Sequence, residues 1–113
     1  MAIGSAAIMF NIDFVLDNLS IRSYFDAIVS ADEVRVSKPD PETYLSCSSL
    51  LKVEPADCIV FEDSPKGVES ALLGGMKAVV LTTMHEAHEF DAYSNVLMCV
   101  KDYTDQKLES FFV

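Results

Sequence analysis

The chain has 113 residues, a formal net charge of -10 and a composition that is half hydrophobic. That length supports one domain with a real core, and the apolar content excludes a disordered chain. The acidic balance argues against phosphate-backbone binding and against docking on an anionic membrane, since both need clustered Lys and Arg; its plain reading is solubility.

Met1 to Gly4 predicts a short strand ending at a Gly-Ser turn. From Ala7 to Leu19, residues Ile8, Met9, Ile12, Val15, Leu16 and Leu19 recur at three- and four-residue spacing, which predicts an amphipathic helix. Residues 21–25 form a connector, and Ala27 to Ser30 a brief buried strand. A polar loop from Ala31 to Asp40 holds Ser37-Lys38-Pro39-Asp40-Pro41. Asp40 is a good N-cap, Pro41 a good first helical residue, and the helix that follows runs to about Lys52, burying Tyr44, Leu45 and Leu51. Cys58 to Phe61 predicts the next strand. Ser64 caps a further helix with Pro65 at its first position, Val68, Ala71 and Leu72 on its apolar face, and Gly74-Gly75 as its stop. Lys77 to Leu81 is a strand, residues 85–90 a helical turn, Val96 to Val100 a last strand and Thr104 to Phe112 a closing helix. Strands alternating with helices imply an α/β fold with a parallel sheet and right-handed crossovers.

Three cysteines, Cys47, Cys58 and Cys99, lack metal-site spacing and fit neither a disulfide framework nor zinc. Cys58 and Cys99 sit in apolar runs and read as small core residues, and a reduced, cytoplasmic setting fits. No apolar stretch approaches a membrane span, and the first residues lack the basic start of a signal peptide.

The sharpest chemical signal is Val60-Phe61-Glu62-Asp63-Ser64-Pro65-Lys66-Gly67-Val68. An apolar run ends in two adjacent carboxylates, at the end of a parallel strand where α/β sheets hold ligands. Two hard oxygen donors suit Mg²⁺, which keeps the rest of its shell for water and phosphate. The bland alternative is that they solvate a strand-to-helix turn. Lys38, in a loop stiffened by Pro39 and Pro41, could neutralise a phosphate and an acidic nucleophile; alone it reads as a surface charge. Ser5, at a strand end beside a helix start, could join a phosphate cradle or simply cap the helix. His85 and His88 read as a polar helix surface, with a metal pair as the alternative. No Asp-x-Asp-Gly segment occurs.

Taken together, Ser5, Ser37-Lys38-Pro39-Asp40-Pro41-Glu42-Thr43-Tyr44 and Phe61-Glu62-Asp63-Ser64-Pro65-Lys66-Gly67-Val68 resemble the second, third and fourth motifs of the haloacid dehalogenase superfamily. The closest group is the β-phosphoglucomutase-like sugar-phosphate phosphatases and mutases. The resemblance implies a three-layer Rossmann-like core. In it Ser5 would bond a substrate phosphate, Lys38 would bridge phosphate and nucleophile, and Glu62 and Asp63 would hold Mg²⁺. The substrate would be a small phosphorylated metabolite, attacked by an aspartate to give an aspartyl-phosphate.

The resemblance also implies that the nucleophile strand and an inserted cap domain would precede Met1. That strand would lie between those ending at Ser5 and Asp63, so two strand edges are expected to lack a partner, and the chain is expected either to close the gap by re-pairing or to associate with another copy or with an N-terminal segment. Ala7, Ile8 and Met9 stand where the family often has polar or basic residues. Two readings of another class remain beside this one. One is a truncated, non-catalytic interaction or regulatory domain. The other is an unrelated receiver-like domain, disfavoured because its acceptor Asp should follow an early strand.

Overall fold

The computed structural model describes residues 1–112, with side chains through Glu109. Its first strand, β1 (Ala2–Gly4), pairs in parallel with β2 (Ala27–Val29), placing Gly4 opposite Val29. Helix α1 (Met9–Leu19) and a 3₁₀ turn at Arg22–Tyr24 connect them. Helix α2 (Glu42–Leu51) leads to β3 (Ile59–Glu62), and α3 (Pro65–Leu73) to β4 (Lys77–Leu81). A 3₁₀ turn at Ala87–Phe90, β5 (Val96–Val100) and α4 (Gln106–Phe112) complete the chain. All strand pairings are parallel, as the alternating pattern predicted.

Central β4 explains the three layers. Successive side chains on a strand point to opposite faces, so a strand covered on both sides reads as a continuous apolar run. Ala78 and Val80 pack with Val68 of α3 and Phe90, while Val79 and Leu81 pack with Val100 and Leu108 of α4. Asn95 pins the layer from within, its Nδ2 donating to Val68 O at 3.3 Å and Met76 O at 3.0 Å.

The ends of α3 follow their predicted chemistry. Ser64 Oγ accepts the Gly67 N–H at 3.2 Å with Pro65 behind it, and Gly75 takes a left-handed φ of 78°. Ser64→Ala is expected to cost about 1 kcal/mol in urea unfolding, the usual loss for an N-cap. At α2 the expected cap is displaced by one residue: Pro41 stands at the N-cap without a side-chain cap bond, and Asp40 before it accepts the Glu42 N–H at 2.9 Å.

Three expectations need correction. Helix α1 begins at Met9 rather than Ala7 and buries only Ile12 and Leu16. Phe10, Phe14, Val15 and Leu19 are exposed, because a pair of three-residue strands offers little surface to cover them. Leu45 of α2 is also exposed; the buried face is Thr43, Tyr44, Cys47 and Ser48. That face is seated on Gly4, where a Cβ would lie 2.9 Å from Thr43 Cγ2, 3.1 Å from Cys47 Sγ and 3.2 Å from Tyr44 Cε1. Finally, β3 is shifted by one residue and includes Glu62.

The strands form two sheets, β1–β2 and β3–β4–β5, and among the described residues no strand lies between β1 and β3. A groove of about 1060 Å³ runs there, lined by Ile3, Leu51, Ile59, Phe61, Met76 and Leu108 among others. No helix among the described residues is long and apolar enough to cross a membrane.

Candidate active site

The carboxyl ends of β1 and β3 face each other across the groove, and the third motif brings Lys38 to them. Its Nζ donates to Gly4 O at 3.1 Å, Tyr44 Oη at 3.0 Å and Glu62 Oε2 at 3.2 Å. The ammonium also sits 4.6 Å from the Tyr44 ring centroid, within cation–π range. Glu62 turns inward. Its Oε2 accepts the Tyr44 hydroxyl as well as Lys38, and its Oε1 accepts the Asp63 N–H at 3.1 Å. Asp63, one residue on, is exposed.

Local structure fixes this arrangement. The Lys38–Pro39 peptide is cis. The Lys38 loop is tied down by the Asp40 N–H to Ser37 O at 3.1 Å and by Ser70 Oγ of α3 donating to Asp40 O at 2.8 Å. Room for Glu62 comes from Gly67, where a Cβ would lie 1.8 Å from Glu62 Oε2.

Ser5 lies at the end of β1, next to the carbonyl that Lys38 holds. Its hydroxyl accepts the Ala7 N–H at 3.0 Å, and its own N–H donates to Val29 O at 2.9 Å. The Met9 amide at the start of α1 is taken by Asp32 Oδ2 at 2.8 Å. That carboxylate occupies the helix end where an anion would otherwise sit. His85 Nδ1 lies 3.2 Å from Glu89 Oε1 and His88 Nδ1 3.2 Å from Glu86 Oε2. Among the described residues no group of three or more His, Cys, Asp or Glu side chains is placed to hold a metal.

Residues 1–81 match the family model described as haloacid dehalogenase-like hydrolase. The chain belongs to the haloacid dehalogenase-like hydrolase family. It is 42% identical over 79 residues to the fructose-1-phosphate phosphatase YqaB of Escherichia coli, covering 70% of this chain and 42% of that protein. It is 40% identical over 90 residues to the validoxylamine A 7'-phosphate phosphatase of Streptomyces hygroscopicus, covering 80% of this chain and 41% of the relative. The crystal structure of a putative β-phosphoglucomutase from Thermotoga maritima superposes with a TM-score of 0.80 at 31% identity, over 88% of this chain and 47% of that one. The chain therefore spans less than half the length of these relatives.

In this haloacid dehalogenase-like site the electrostatics follow from the geometry. Burial opposes ionisation of Glu62, but the Tyr44 hydroxyl, the Lys38 charge and the Asp63 N–H outweigh it and hold the carboxyl below its ordinary range. Partial burial and the adjoining Glu62 carboxylate push Asp63 the other way, upward. Tyr44 is raised by burial and by Glu62, so its hydroxyl stays protonated and able to donate. Burial also pushes the Cys47 thiol up to about 11, which makes it an inert core group.

The motifs thus bring Lys38, Glu62, Asp63 and the Ser5 turn to one end of the two sheets. Sequence reasoning missed the supporting residues. Tyr44 read as core, Ser70 as an unremarked helix residue and Gly67 only as the start of a helix. The available signal was position: Tyr44 falls in the first turn of α2, six residues after Lys38, and Gly67 falls where a helix would normally prefer another residue.

Proposed function

We propose that the chain supplies the phosphate-neutralising and metal-binding half of a hydrolase that transfers the phosphoryl group of a small sugar-phosphate-like metabolite. The supporting observation is the ammonium of Lys38, held 3.2 Å from Glu62 at the carboxyl ends of two parallel strands that flank a groove. Relatives named as fructose-1-phosphate and validoxylamine A 7'-phosphate phosphatases support the substrate class.

The donor set suits Mg²⁺, which needs only one or two carboxylates and keeps several waters. Asp63, exposed, would hold it directly; Glu62, already accepting three hydrogen bonds, would do so by giving one up or through water. When bound, the ion would supply positive charge against the phosphate oxygens. Lys38 neutralises the phosphate and the attacking carboxylate, and Ser5 orients a phosphate oxygen. The attacking aspartate is not among the residues gathered here. In the proposed reaction its carboxylate forms a P–O bond as the bond from phosphorus to the sugar oxygen breaks, and water then hydrolyses the acyl phosphate. The free thiols fit a reducing, cytoplasmic compartment.

Titration with Mg²⁺ and orthophosphate, followed by NMR, tests the site. Shifts are expected at Lys38, Ser5 and Asp63, with the Mg²⁺ response lost in Asp63→Asn. An unchanged response in that variant would remove Asp63 from the site. The 113 residues alone are expected not to hydrolyse fructose 1-phosphate; turnover by them would overturn the requirement for a nucleophile from elsewhere.

The groove between β1 and β3 favours a second feature of the reading, association of the chain through those strand edges. Sedimentation over a concentration series is expected to show self-association. A monomer throughout would count against it.

A further inference from the structure

We propose that Tyr44 is the positioning residue of this site, setting the location of Lys38 and Glu62 through a single hydroxyl. The inference rests on the reading of Lys38 and Glu62 as phosphoryl-transfer groups and adds the residue that organises them.

Tyr44 stands in the first turn of α2 and is 8% exposed, its ring packed with Val60, Ala71 and Met76. The ring is therefore fixed by the core, while its hydroxyl emerges between the two charges. A phenol has one proton to donate and lone pairs to accept. Lys38 has only protons to donate, and Glu62 in its ionised form only accepts. One arrangement satisfies all three: Lys38 Nζ donates to Tyr44 Oη at 3.0 Å, and Tyr44 Oη donates to Glu62 Oε2.

The ammonium has three protons and three acceptors, namely Gly4 O, Tyr44 Oη and Glu62 Oε2. These converge from β1, α2 and β3 and fix Nζ at one point beside the Ser5 turn. Gly4 and Glu62 belong to different sheets. Lys38, from the loop before α2, spans these two anchor points, and the Tyr44 hydroxyl holds its ammonium in place against the Glu62 carboxylate. Ring contact adds a second hold, with Nζ 4.6 Å from the centroid. A lysine stem has four rotatable bonds, and without such pinning its ammonium samples many positions.

Tyr44→Phe separates this role from packing, since it keeps the ring and its cation–π contact and removes only the bridging oxygen. The readout is the side-chain ammonium signal of Lys38 in protein labelled with ¹⁵N-lysine, identified by its loss in Lys38→Met. The intact chain is expected to give a Lys38 signal protected from exchange with water. In Tyr44→Phe that exchange is expected to quicken by about tenfold, the scale of one hydrogen bond to a charged group. An unchanged exchange rate in a folded variant overturns the proposal, and so does the lack of any protected Lys38 signal in the intact chain. If Tyr44→Phe does not fold, a nuclear Overhauser contact between the Tyr44 hydroxyl proton and the Lys38 side chain in the intact protein reads the same bridge. Its presence supports the proposal and its absence overturns it.

Adding Mg²⁺ and orthophosphate to both proteins separates this inference from the function it rests on. If neither perturbs Lys38 in the intact chain while Tyr44→Phe still frees it, the positioning stands and the phosphoryl-transfer reading falls. If both perturb the intact chain and Tyr44→Phe changes nothing, the positioning alone falls.

Discussion

Gly67→Ala is expected to destabilise the chain by about 2–3 kcal/mol, the scale of overpacking in a closed interior. The direction is what makes the test sharp. Gly67 lies within α3, and replacing a helix-interior glycine with alanine ordinarily gains about 1 kcal/mol. Here the new Cβ would fall 1.8 Å from Glu62 Oε2 and 1.9 Å from its Cδ. The carboxylate could avoid it only by leaving Tyr44 and Lys38, and those partners would then be buried without their acceptor. Urea unfolding of the two proteins measures the difference. A stabilised or unchanged variant would falsify the placement of the Glu62 side chain beneath the start of α3. The same variant should also release Lys38, because one of its three acceptors is displaced.

Lys38→Met is expected to cost about 3 kcal/mol near neutral pH, the usual loss when one partner of a buried ion pair is removed. Both side chains are well covered, at 16% exposure for Lys38 and 10% for Glu62. The pH dependence should change sign at this pair. In the intact chain the folded Glu62 carboxyl titrates below its unfolded value. Its contribution is therefore present above the unfolded value and lost as pH falls through the folded one. Without the Lys38 charge, burial is expected to dominate and raise the folded value. The native variant would then hold a proton more tightly than the unfolded chain, and its stability would fall as pH rises. Unfolding at about pH 4 and about pH 7 reads this, spanning the ordinary carboxylate range. The deficit against the parent should be small in acid and full near neutrality. Comparing variant with parent removes the shared contribution of Asp63, whose folded value is raised. An equal deficit at both pH values would mean that Glu62 does not depend on Lys38.

Much of the fold was legible because its local signals agree with one another. The apolar run at 78–81 is buried on both faces, and Ser64-Pro65 begins α3 with the predicted cap. The sequence singled out Lys38, Glu62 and Asp63, the charged groups that the structure brings to one end of the sheets. What local pattern could not supply was the covering of each face. Helix α1 has the periodicity of a half-buried helix, yet Phe10, Phe14, Val15 and Leu19 remain exposed. Periodicity records which side chains share a face, whereas burial depends on whether another element reaches that face. Leu45 was misjudged for the related reason that the face of α2 that another element reaches is Thr43, Tyr44, Cys47 and Ser48, the first three of them against Gly4.

By itself the sequence determined the α/β class, the order of the elements, the caps and turns, and the identity of the residues that bear charge. Those properties depend on residues close together along the chain. Only the tertiary structure decided that Glu62 faces inward while Asp63 faces out, and that the Lys38 ammonium is held from two sheets at once. It alone decided that Tyr44, a core aromatic by composition, bridges the Lys38 ammonium and the Glu62 carboxylate. The Lys38 contacts with Glu62 and Gly4 join residues 24 and 34 positions apart, and their geometry follows from how helices and sheets pack, which no local pattern of residues encodes.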